Sequence, residues 1–185
     1  MASRNEDIVR NGVVIGTVNE VVYQSQADAQ EYIFGTQVVL YDVESDSTGH
    51  PFRANDVFRR TPKHRAVATA YLPLEGTLAL AQTGRTVQGL NEFDERQPDR
   101  DNTWVDFRVV VDPAGAPGGA SSSPWLLTKT KAPKGYSVNA VGLRLLNSDF
   151  EHPKHEAYDL FAPCYQPNGI PPGKGDDDDA RVPQR

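Results

Sequence analysis

The stretch FEHPKHEAYD at 150–159 sets two imidazoles, His152 and His155, three residues apart with Glu156 beside them, and Cys164, the chain's only cysteine, follows. Imidazole, thiolate and carboxylate are the groups that bind zinc, and the same groups serve as general bases and nucleophiles. On a helix an i, i+3 pair shares one face. Pro153 lies between the two histidines, however, and disfavours helical backbone at His152. No CxxC, no HExxH and no second ligand pair accompanies them, and the remaining histidines, His50 and His64, are distant in sequence. The stretch therefore reads as a polar loop, with Cys164 as a small buried hydrophobe. Neither a metal nor an organic cofactor is expected.

Three charged clusters come next. FRRTPKHR (58–65) carries Arg59, Arg60, Lys63 and Arg65, with Arg53 close by. Such a cluster suits phosphates or an acidic partner. Phe58 is its one aromatic, so it lacks the platform on which bases stack. Nucleic acid is not expected as a partner. The segment 91–102 holds Glu92, Asp94, Glu95, Asp99 and Asp101, but no glycine and distal glutamate fall in calcium-loop register. Arg96 and Arg100 offset part of its charge, and it reads as an exposed arm. The run Asp176, Asp177, Asp178 and Asp179 reads as an interaction tail, with the basic cluster of a neighbouring copy as its candidate receiver. There is no GxSxG elbow and no GxGxxG or GxxxxGK phosphate loop.

The elements that would position these groups are strands. DIVRNGVVIGTVNEVVY (7–23) places Asn11-Gly12 between two β-branched runs, the signal for a tight hairpin, and Gly16 marks a bulge. SQADAQEYIFG (25–35) has a capping serine, an acid three residues on and a terminal glycine, and predicts one short helix. TQVVLYDVE (36–44), HRAVATAYL (64–72) and GTLALAQT (76–83) read as strands. TWVDFRVVV (103–111) is the clearest. Val105, Phe107, Val109 and Val111 share one face, and Asp106 and Arg108 share the other. DPAGAPGGASSSP (112–124) reads as a flexible or extended connector. WLLTKTK (125–131), APKG (132–135) and YSVNAVGLRLL (136–146) read as a hairpin, and AYDLFAP (157–163) as a last strand.

Short strands with frequent turn signals and one helix predict an all-β fold, an antiparallel sandwich or barrel with extended arms. The expected organisation is one β-rich domain over 1–165, with 112–124 as a connector within it, and an irregular tail over 166–185. At 185 residues the chain is long enough to bury a core without cross-links. The net charge of −6 gives no general attraction for nucleic acid or an anionic membrane. The N-terminus lacks the apolar stretch of a signal peptide and no run is long enough for a membrane helix, so a soluble chain is expected.

Rigid body, arms and tail together predict a non-enzymatic structural subunit of a large homomeric assembly, such as a capsid, decoration or tail component of a virion. Its partners would be copies of itself or other subunits of that assembly, in a virion or an intracellular assembly. The alternative is a β-barrel or sandwich module that binds a small molecule or glycan. A third reading is an enzyme using the His152/His155 region.

Overall fold

The computed structural model describes residues 1–45, 49–61, 67–74, 79–83, 104–147 and 158–168. In chain order its strands are β1 (Ala2–Arg10), β2 (Val13–Gln24), β3 (Glu31–Tyr41), β4 (Ala54–Arg60), β5 (Val67–Leu72), β6 (Leu80–Thr83), β7 (Trp104–Val111), β8 (Ala120–Ser122), β9 (Trp125–Lys131), β10 (Tyr136–Asn147) and β11 (Tyr158–Pro167). The first sheet runs β1-β2-β3-β9-β5, with β8 also paired to β3, and the second runs β11-β10-β4-β7-β6. Every pairing is antiparallel. The sheets stack as an open sandwich and do not close into a barrel, which settles the choice the sequence leaves open.

The β1–β2 hairpin forms as its residues demand. Asn11 (φ 51°) and Gly12 (φ 78°) both take the left-handed conformation of a two-residue turn. Pairing runs from Ile8↔Gly16 to Val9↔Val14, so Ile15 is the extra residue of a bulge. Gly16 is required there by close approach: a Cβ would sit 2.2 Å from the Val39 carbonyl oxygen.

The core lies between the sheets, with Val18, Val38, Leu40 and Leu126 from the first facing Val57, Phe107, Val109, Leu143 and Leu145 from the second. β7 alternates as expected at Val105, Phe107, Val109 and Val111, all buried. Its other face differs. Arg108 is exposed, but Asp106 is only 2% exposed. A smaller cluster of Phe58, Trp104, Leu146 and Phe161 gives the second sheet its own packing away from the sandwich interior.

Two expectations are corrected. No helix forms over 25–35. The Ser25 hydroxyl accepts from the Ala27 and Asp28 N–H groups and an Asp28 carboxylate oxygen accepts from Gln30 N–H, while Ser25 N–H donates to the Glu31 carbonyl. The capping chemistry is real, but it closes a β2–β3 loop, because such side chains serve turns as readily as helices. Tyr32, Ile33 and Phe34 then enter β3, extended backbone that aromatic and β-branched residues favour. Second, β9 and β10 are not a hairpin. The turn at 132–135 forms, with Gly135 at φ 73° and its N–H bonded to the Ala132 carbonyl at 2.8 Å, but it carries the chain from one sheet to the other. The segment 112–124, expected as a flexible or extended connector, takes the extended form and is stitched to β3. A short 3-10 turn at Pro117–Gly119 leads into β8. Ser123 N–H donates to the Val38 carbonyl, and Val38 N–H returns a bond to the Ser123 hydroxyl.

The last strand extends past the expected domain limit, through Pro167. Asn168 is then anchored: its N–H donates to the Gly135 carbonyl at 2.8 Å and its side-chain amide donates to the Lys134 carbonyl at 2.9 Å.

Candidate functional site: a buried ion-pair clamp

Glu20 sits on β2 between Val18 and Val22, and all three side chains face the interior. A carboxylate in that row must be compensated, since burying an unpaired charge is very costly. Compensation comes from the opposite sheet. Arg59 on β4 places Nη1 2.9 Å from Glu20 Oε1, and the two side chains are 2% and 1% exposed. Nη1 also donates to the Thr36 hydroxyl of β3, which itself donates to Glu20 Oε1 at 3.5 Å. The second guanidinium nitrogen donates to the Tyr165 carbonyl at 2.5 Å, and Tyr165 N–H donates to Glu20 Oε2 at 2.9 Å.

Tyr165 lies on β11, the outermost strand of its sheet. The unpaired backbone edge of a terminal strand is normally a liability. Here one carboxylate oxygen and one guanidinium N–H take up both backbone groups of Tyr165. Four strands from two sheets thus meet at one ion pair.

Aromatic rings enclose it. The Arg59 guanidinium carbon stands 5.3 Å from the centre of the Phe34 ring, a cation–π distance. Phe34 packs edge-on against Tyr136 at 6.0 Å, and Tyr136 against Tyr165 at 5.4 Å. The Arg4 guanidinium carbon lies 5.7 Å from the Tyr165 ring centre. Cys164 is fully buried next to this centre. Burial pushes its thiol up to about 12, with smaller and opposing influences from Arg59 and Glu20. The thiolate, which is the nucleophilic form of the group, is thereby disfavoured. The cluster is built to hold, with both carboxylate oxygens and both guanidinium termini engaged inside the protein.

Of the basic cluster, Arg59 is therefore internal. Arg60 is 5% exposed, with its guanidinium carbon 4.8 Å from the Trp104 ring centre. Lys63 and Arg65 lie outside the described residues, as do His64, the acidic segment 91–102, His152, His155, Glu156 and Asp176 to Asp179. Among the described residues no group of three or more His, Cys, Asp or Glu is placed to hold a metal ion. No helix among them is long and apolar enough to cross a membrane.

A separate cavity of about 580 Å3 opens near one end of the first sheet, lined by Gln30, Glu31, Val67, Ala68, Lys129, Thr130, Lys131 and Pro133. Two ion pairs stand at it, Lys129–Glu31 at 2.8 Å and Lys131–Asp28 at 3.0 Å. The Gln30 N–H, and after it Lys131, hold the Asp28 carboxyl below the usual carboxylate range.

The sequence pattern places Arg59 in a surface cluster, and Glu20 is absent from the candidates it offers. The signal was present in VVIGTVNEVVY, where Val18, Glu20 and Val22 fall on one face of an alternating strand, so an acid sits where only apolar residues belong. No family model, no curated protein and no solved structure matches the chain.

Proposed function

We propose that the chain is a non-enzymatic structural subunit of a homomeric assembly, of the kind that forms a capsid, decoration or tail component of a virion. The observation that supports this reading is the use made of its reactive groups. The acid and the arginine at its centre are sealed inside and bond one sheet to the other, and the thiol is buried beside them. The product is a rigid two-sheet body. The sequence adds an acidic segment at 91–102 and, after the anchored Asn168, a run of seventeen residues at 169–185 with too few apolar side chains to build a core of their own. Segments of that kind serve contact between subunits.

The test is a truncation. Asn168 is hydrogen-bonded into the β9–β10 turn, so the cut belongs after it. Removal of 169–185 should leave far-UV dichroism and melting of the isolated subunit unchanged and should weaken assembly, as seen by electron microscopy of negatively stained material. Assembly equal to that of the full chain would remove the tail from this account.

The second reading, a module that binds a small molecule or glycan, draws on the 580 Å3 cavity and its two lysine–acid pairs. That volume falls within the range of ligand pockets. Saturable binding of a compound by an unassembled chain, lost in Lys129→Ala, would favour it.

A further inference from the structure

Antiparallel sheets that face water on one side usually alternate apolar-in and polar-out. The first sheet breaks this rule. On β3 the side chains of Phe34, Thr36, Val38 and Leu40 point inward, so Gly35 and Gln37 point outward. Register places Val21, Gly35, Leu127 and Ala70 in one outward row across four strands. A Cβ at Gly35 would lie 2.8 Å from Val21 Cγ2, 3.2 Å from Leu127 Cδ2 and 3.5 Å from Trp125 Cε3. The absent side chain thus lets Val21, Leu127 and Trp125 close over the strand into a continuous apolar surface. Tyr23 and Leu72 extend it at 46% and 56% exposure. The outer side of the second sheet is different, because Phe58, Trp104 and Leu146 there are buried by the chain itself.

The borders of this face are specific. On one side a row of amides crosses three strands, with Asn5 donating to Asn19 at 2.5 Å and Asn19 donating to Gln37 at 3.1 Å. On the other side stand the pairs Lys129–Glu31 and Lys131–Asp28. An aromatic and aliphatic centre inside a hydrogen-bonding and charged rim is the anatomy of a protein contact. The rim charges are balanced, two lysines against two acids. In a two-fold contact each patch meets its own inverted copy, so lysines of one chain can face acids of the other without net repulsion. A partner of strongly basic or acidic surface would gain nothing from such a rim.

We propose that this face, centred on Val21, Leu127, Trp125, Ala70 and Leu72, is the contact surface for a second copy of the chain, packed sheet against sheet. The proposal rests on the assembly reading and supplies the surface through which it acts. The second copy stacks its own first sheet on this one, at the ~10 Å spacing of packed sheets.

The experiment uses the full chain and three variants. Ala70→Glu and Leu72→Glu place a carboxylate on exposed positions of the face, and Val110→Glu places one at an equally exposed position of the second sheet, 55% exposed. Self-association is read by sedimentation over a range of concentrations, with far-UV dichroism and melting as folding controls. Ala70→Glu and Leu72→Glu should each weaken association by roughly tenfold or more, while Val110→Glu leaves it intact. If Leu72→Glu does not fold, Ala70→Glu decides alone, since its side chain points to solvent from an edge strand. Association unaffected by the two face variants overturns the proposed surface but leaves the assembly reading standing. A full chain that never associates overturns both. Association that strengthens on removal of 169–185 would show the tail to be the occupant and would overturn the proposal.

Discussion

Glu20 and Arg59 are 2.9 Å apart with almost no solvent contact, so each is compensated by the other and by few alternatives. Removing one partner strands a buried charge, and such losses run to about 3–5 kcal/mol. Glu20→Gln and Arg59→Met should each lower stability by that amount in urea denaturation. The joint replacement Glu20→Leu with Arg59→Met should cost far less than the sum of the two single losses, since a buried pair is often matched by apolar residues of similar volume. A Glu20→Gln chain as stable as the parent would show that the pair does not clamp the sheets. Cys164 gives a second test. Its thiol is raised from 9.0 to about 12 when folded, and the unfolded thiol ionises near the lower value. Its contribution to stability is therefore complete below pH 9.0 and is lost as pH climbs towards about 12. Melting across that range should fall less in Cys164→Ala than in the parent. The native thiol should also resist a disulfide reagent at pH 8 until the chain is unfolded.

Strand β7 makes the strongest energetic claim among the elements. Phe107 has no exposure, and Phe107→Ala should cost ~3–5 kcal/mol. Asp106, only 2% exposed, should also be sensitive to substitution, against the near-neutral effect its alternation implies. Gly16→Ala should destabilise by about 1–3 kcal/mol, because the new methyl meets the backbone of β3 and not a side chain that can turn aside. Melting indistinguishable from the parent would show that β2 and β3 separate there without cost. These elements also mark how far the sequence could be read. Asn11-Gly12, Gly16 and the alternation of β7 are local signals with local consequences, and each was legible. Ser25 and Asp28 signal a chain end that binds its own backbone, a motif shared by helices and turns, and the choice between them fell to the pairing of β3 with β2 and β9. Whether β9 folds back on β10 or crosses to the other sheet is set by distant partners, Thr36 and Tyr71 among them, which no local pattern contains. The same holds for Arg59. Its burial follows from Glu20 in another sheet, although Glu20 itself stood out of pattern on an apolar row.

At the scale of the molecule, the chain is a two-sheet sandwich with an apolar outer face on the first sheet, and its charged segments have a composition that suits contact between chains. In the proposed reading the clamp makes the body, and the face and tail make the contacts. The most direct test is sedimentation velocity of the full chain from low to high concentration at two salt concentrations. A chain of 20.3 kDa that builds a homomeric assembly should show species many times that mass. Their population should rise with concentration and persist at high salt, because apolar contact is not screened as exposed ion pairs are. A single 20.3 kDa species at every concentration and salt would contradict the account.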